Sequence, residues 1–177
     1  PNLSSVYDIP IVLHEQGLDE KIKKELGLKS RKPDLKAWKN LLSKIKSENK
    51  KQIEIALVGK YFGTGEYQLR DSYAALFDAI NHASWSLNAR VKTIWIDAEK
   101  LEGLNRDEIK KIIGNPNGII VPIGWGERGA EGMIKAASYA REDKIPYLGL
   151  CYGMQLAVIA YARDVLEWLD ADTTENN

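Results

Sequence analysis

The sequence predicts an α/β domain built on a doubly wound, mostly parallel sheet with helices on both faces, preceded by a helical segment. Three observations carry this prediction. From Gln52 onward, short apolar runs alternate with stretches of helical period, the pattern of right-handed crossovers in a parallel sheet. The 177 residues suffice for one such core with an added segment and are too few for two large domains. Residues 1–50 differ in texture, with many charges and short amphipathic pieces. The expected division is therefore a linker-like helical segment over 1–50 and the α/β unit over 51–177.

The elements follow in order. "GLDEKIKKELGL" sets Leu18, Ile22 and Leu26 four residues apart, and "PDLKAWKNLLSKIK" gathers Leu35, Trp38, Leu42 and Ile45 on one face after the start signal Pro33-Asp34. "IEIALVG" reads as the first strand. "RDSYAALFDAINHASWSL" reads as a helix with Tyr73, Leu76, Phe77, Ile80, Ser84 and Leu87 along its stripe. "ARVKTIWID" is a second strand, "NRDEIKKIIG" a helix, "GIIVPI" a strand and "GAEGMIKAASYARED" a helix. "IPYLGLC" closes the strands, and "GMQLAVIAYARDVLEW" is the last helix.

Composition narrows the function. Lys+Arg and Asp+Glu both number 25, so the formal charge is zero, and no basic block of the kind that tracks phosphate backbones occurs. No nucleic-acid partner is expected. A single cysteine forms no intramolecular disulfide, no run has the length of a membrane span, and the N-terminus lacks a signal-peptide layout, so a cytoplasmic protein with no membrane partner is expected. No metal site is expected either.

Ligands of such sheets sit outside the carboxyl ends of the strands. Two loops fall there, "PIGWGERG" after "GIIV" and "CYG" after "YLGL". Cys151 stands between Gly149 and Gly153 at a strand-to-helix turn, the layout of a nucleophile elbow. The glycines permit a tight backbone that lifts the side chain above the sheet, and the amino end of the following helix favours a thiolate. The Tyr152 amide N–H, next in sequence, is a natural oxyanion donor. A lone cysteine without this frame would be read as buried packing. The glycine-rich loop over Gly124–Gly129 is either a connection needing positive φ or the source of a second oxyanion amide. "VGKYFGTGE" is not read as a phosphate loop, because Gly59-Lys60 is followed by Tyr61 instead of Ser or Thr.

"LGLCYGMQ" together with "VPIGWGERG" resembles the class I, or triad-type, glutamine amidotransferase family, whose layering is flavodoxin-like. "IEIALVGKY", "DSYAALFDAINHA", "IWIDAEKLE", "YLGLCYGMQLAVIAYARDV" and "ADTTE" resemble in the same order the amidotransferase half found in the CTP synthase family. Residues 1–50 resemble the linker that joins its two halves. The resemblance implies that Cys151 attacks the side-chain amide of L-glutamine, forming a thioester and releasing ammonia. It gives Gly124 and Tyr152 the oxyanion amides, Gln155 a contact to the bound glutamine, and Glu175 the partner of its α-amino group. It also implies a synthetase domain of the same protein that uses ATP and Mg to convert UTP to CTP, activation by GTP, and a homotetramer.

Three departures and one gap accompany the resemblance. Ile123 stands where the family has the first of two glycines, which implies a differently shaped oxyanion loop. Tyr152 replaces a leucine, and "ADTTE" places Asp172 where the family has asparagine. The family's histidine and glutamate come from a His-x-Glu motif downstream of the elbow, and the 177 residues contain only His14 and His82, both expected on ordinary surface. The chain is thus expected to be an incomplete part of such an enzyme, with little or no glutamine hydrolysis alone. The competing expectations are an amidotransferase-like module that binds or regulates without catalysis, and, less well matched, another cysteine-elbow hydrolase or a flavodoxin-like binder.

Overall fold

A computed structural model describes residues 3–29, 31–48, 50–64, 67–68 and 71–175. Among these, the N-terminal segment contributes α1 (Ile9–Glu15), α2 (Leu18–Glu25) and α3 (Lys36–Lys46). Then come β1 (Lys51–Gly59), the short antiparallel pair β2 (Gly63–Thr64) and β3 (Tyr67–Gln68), α4 (Ala74–Ser86) and β4 (Ala89–Asp97). The rest is α5 (Arg106–Ile113), β5 (Gly118–Val121), α6 (Ala130–Glu142), β6 (Tyr147–Gly149) and α7 (Tyr152–Val165).

The main sheet is parallel with order β4-β1-β5-β6. The chain leaves β1 through α4 to β4 on one side and then crosses back over β1 to β5 on the other. The sheet is therefore doubly wound, and the winding reverses between β1 and β5, the place where such folds open a crevice. Side chains of β1 alternate between two cores. Ala56 and Val58 join Ile96, Ile119, Met133 and Leu156 in the larger core under α5, α6 and α7. Leu57 joins Phe62, Tyr73 and Phe77 under α4, with Trp95 packed alongside.

The helical N-terminal segment lies against α4 through aromatic rings. Tyr7 meets Trp85 edge-on with centroids 5.3 Å apart and lies 6.1 Å from Trp38. Pairs of this kind contribute about 0.5–1.5 kcal/mol each beyond the area they bury. Trp38 Nε1 donates to Tyr7 O at 2.6 Å, and Lys46 Nζ pairs with Asp8 at 2.7 Å. The Lys46 hydrogen bond, with one from Ser4, holds the Asp8 carboxyl below its usual value.

Every strand read from the sequence is present; α1, β2 and β3 are additional, and the other differences lie at element ends. Leu87 was expected on the buried stripe of α4 but is 77% exposed, because the helix stops at Ser86 and Asn88 turns to positive φ (50°) to enter β4. The last helix was expected to run to Trp168. It stops at Val165, where Glu167 takes φ 59° and the Trp168 N–H folds back to Ala162 O at 3.1 Å. β5 ends at Val121, since Pro122 has no N–H to give the ladder.

Candidate functional site

Three connections at the carboxyl end of the sheet meet beside the winding reversal: Lys60 after β1, residues 122–129 after β5, and Leu150-Cys151 after β6. Cys151 is exposed, and its backbone sits at φ 52°, ψ −107°. A residue with a Cβ holds such a conformation at a cost of about 1–3 kcal/mol, maintained by its surroundings. Those surroundings are specific. A Cβ on Gly149 would stand 2.6 Å from the Gly153 carbonyl group, and one on Gly153 would stand 2.1 Å from Val121 O. The two glycines let α7 press its first turn onto β5 and β6, and the strained residue is lifted out at the junction. Leu150 N–H bonds Val121 O at 2.9 Å, and Tyr147 OH donates to Gly153 O at 2.8 Å, so both sides of the turn are pinned. Burial pushes the Tyr147 phenol above its usual range, so it remains a donor.

The 122–129 loop is held by three side chains from outside it and by its own Arg128 reaching out. Tyr73 OH donates to Ile123 O at 3.2 Å, and burial pushes this phenol up to about 12. Lys60 Nζ donates to Trp125 O and to Gly126 O, the latter at 2.6 Å. Tyr152 OH donates to Gly126 O at 3.0 Å, and Arg128 Nη2 donates to Lys60 O at 2.8 Å while its Nη1 pairs with Glu99. Lys60 is only 2% exposed and lies 5.0 Å over the Tyr152 ring. Burial, with Arg128 nearby, lowers its ammonium below the usual lysine value. Gly124 is glycine for space: a Cβ there would lie 2.9 Å from Lys60 Cδ and 3.2 Å from Tyr152 Cδ1.

The family model for "Glutamine amidotransferase class-I" matches residues 68–176. The chain belongs to the class-I glutamine amidotransferase family. Among curated relatives, it is 44% identical over 173 residues to the CTP synthase of Mycoplasma mycoides, covering 98% of this chain and 31% of that protein. It is 46% identical over 177 residues to the CTP synthase of Saccharolobus solfataricus, covering 99% and 32%. The chain thus spans about a third of the length of the curated relatives it matches. Among solved structures, the glutaminase domain of Trypanosoma brucei CTPS with bound acivicin is similar with a TM-score of 0.63 and 40% identity, covering 71% of this chain and 46% of that one.

Of the amidotransferase residues read from the sequence, the structure brings Cys151, Tyr152 and Gly124 together. Tyr152 heads α7, directly after the cysteine, and its side chain reaches back to the loop that contains Gly124. Gln155 is half-buried one turn into α7, with its amide bonded to Cys151 O at 3.2 Å. Glu175 is exposed; its amide bonds Thr173 Oγ1 at 3.3 Å, and no contact among the described residues joins it to the elbow. Ala171, just upstream, is held at the far end of α7 by Arg163 Nε at 2.7 Å.

Neither histidine touches Cys151 among the described residues. His14 pairs with Asp19 at 2.8 Å. His82 is exposed, as expected, and at that surface its Nε2 bonds Tyr7 OH and its ring packs on Trp85, beside the seam with the N-terminal segment. Ile123 has no positive φ, so glycine is not demanded there by backbone conformation. No cluster of three or more metal-ligating side chains occurs among the described residues.

The sequence reading missed Lys60, Tyr73 and Arg128 as supports of the loop. Lys60 was passed over because it fails the phosphate-loop pattern. The available signal was position: it is a cation at the carboxyl end of a central strand, where a fully buried run ends. Nothing in the sequence pointed Tyr73 at this loop, and nothing local told that Arg128, within it, reaches Lys60 O.

Proposed function

We propose that this chain is the glutamine-hydrolysing part of a CTP synthase, with Cys151 as the nucleophile. The observation that carries the proposal is Cys151 itself, an exposed cysteine in a strained conformation at the junction of β6 and α7. Cys151 Sγ attacks the side-chain amide carbon of L-glutamine, and the carbonyl oxygen becomes an oxyanion. The backbone amides of Tyr152, next after the cysteine, and of Gly124, in the loop that the Tyr152 side chain reaches, would receive that charge. Collapse to the thioester expels ammonia once a general acid has protonated the leaving nitrogen, and water then releases glutamate. Gln155 would contact the bound glutamine, and Glu175 would pair with its α-amino group. The histidine that moves these protons comes, on this reading, from outside these 177 residues.

The ammonia would pass to a synthetase domain of the same protein for ATP- and Mg-dependent amination of UTP in cytoplasmic pyrimidine synthesis. GTP activation and a homotetramer belong to the same reading. The CTP synthase relatives and the acivicin-bound glutaminase neighbour support the glutamine-hydrolysing part of this reading.

The test uses the full-length product of the gene, with ammonia release from glutamine and CTP formation measured side by side. Cys151→Ala is expected to abolish glutamine-supported CTP formation while added ammonia still supports it. A protein that never hydrolyses glutamine, or a Cys151→Ala variant that still does, refutes the proposal and favours a binding module.

A further inference from the structure

We propose that Lys60 is a positioning residue for the oxyanion loop: its buried ammonium sets the direction of the peptides that follow Gly124, and its stem fixes the place of Gly124 itself. This rests on the reading that the Gly124 amide faces the oxyanion.

The argument begins with an oddity of burial. Lys60 is 2% exposed and forms no ion pair among the described residues, with Glu99 and Glu102 acting on it only at a distance. A buried ammonium is costly unless polar groups replace its water. Here the replacements are the carbonyls of Trp125 and Gly126, and the Tyr152 ring adds its face at 5.0 Å. An apolar side chain of similar length would fill the same space without that cost. The cation is explained by what it does to the loop.

A trans peptide is planar, so its C=O and N–H point in opposite directions. With Trp125 O and Gly126 O both drawn to Nζ, the N–H groups of Gly126 and Glu127 are turned away from it. Two peptides earlier, Tyr73 OH draws Ile123 O and so turns the Gly124 N–H away from Tyr73. Gly124 is held between these two anchors. The Lys60 stem packs where a Gly124 Cβ would be, at 2.9 Å, so the same side chain fixes both the position of the loop and the direction of its dipoles. Arg128 completes the clamp by donating to Lys60 O, which ties the backbone of Lys60 to the far end of the loop. Lys60, 2% exposed with its ammonium on loop carbonyls, acts only through the loop.

Lys60→Met keeps most of the stem and removes the cation. In the full-length product, kcat for glutamine hydrolysis is expected to fall about 10–100-fold, below the full loss of an oxyanion donor, with KM for glutamine within about twofold. Alkylation of Cys151 by iodoacetamide forms no oxyanion and is expected to keep its rate. An unchanged kcat overturns the proposal, and so does a fall in kcat matched by an equal fall in alkylation rate, which marks a general structural role. Cys151→Ala in parallel separates this from the underlying reading, since hydrolysis that survives it defeats the nucleophile assignment and leaves Lys60 to a second measurement. That measurement is a crystal structure of Lys60→Met: rotated Trp125 and Gly126 carbonyls support the proposal, and unmoved carbonyls overturn it.

Discussion

Gly153→Ala is a single methyl added at the base of the elbow, and its effect follows from two distances. The new Cβ would stand 2.1 Å from Val121 O and 2.7 Å from Val121 C, both backbone atoms. Val121 O cannot yield, because it accepts the Leu150 N–H at 2.9 Å and belongs to the strand beneath the helix. Real Cβ atoms keep at least 3.0 Å from such neighbours, so the first turn of α7 must withdraw by 0.9 Å or more. Overpacking of this kind costs about 1–3 kcal/mol, which lowers the melting temperature of a chain this size by about 2–12 °C. Cys151, two residues earlier on the same turn, moves with the helix, and a displacement near 1 Å costs on the order of 100-fold in rate. Gly103→Ala is the control. Gly103 has φ 70° with nothing within 4 Å of the added Cβ, so it carries strain of about 1–2 kcal/mol without any clash. The two variants are compared by thermal melting and by glutamine turnover in the full-length product. Both are expected to melt earlier, and only Gly153→Ala is expected to lose turnover. Full activity in Gly153→Ala, or equal loss in Gly103→Ala, refutes the reasoning.

Two further outcomes follow from the same structure. Cys151→Gly is expected to be inactive yet about 1–2 kcal/mol more stable than Cys151→Ala, because glycine relieves the φ 52° backbone and gives back only part of that gain through its freer unfolded chain; equal melting temperatures for the two variants would show that the backbone there is unstrained. The Asp8–Lys46 pair lowers the Asp8 pKa in the folded state, so its contribution is fully present above the ordinary value of 3.8 and is lost as pH falls through the lowered one. Trp38 fluorescence, reporting the seam beside Tyr7, should therefore change in acid in a way that Asp8→Asn abolishes, and an identical acid transition in that variant would remove Asp8 as its cause.

Much of this was legible in the residues. β1, β4, β5 and β6 announced themselves because each is a short apolar run between helical stretches, and Gly149-Leu150-Cys151-Tyr152-Gly153 announced its turn because two glycines bracket a reactive side chain. The tertiary partners were not legible. Leu87 fits the stripe of α4 by spacing, yet the chain turns at Asn88 before that spacing is used. His82 is surface on a helical wheel and exposed in the fold, yet no local pattern records that its partner Tyr7 comes from 75 residues earlier. Lys60 reads as one lysine among many, since no local pattern records that the carbonyls accepting its hydrogen bonds lie 65 and 66 residues downstream.

The 122–129 loop is tied to both faces of the sheet. Tyr73 reaches it from the core beneath α4, and Tyr152 reaches it from the core beneath α7. Loosening either layer releases one of the loop's carbonyls before the strands separate. Heat inactivation should accordingly follow whichever of the two cores softens first, and turnover should fade at temperatures where circular dichroism still records an intact sheet.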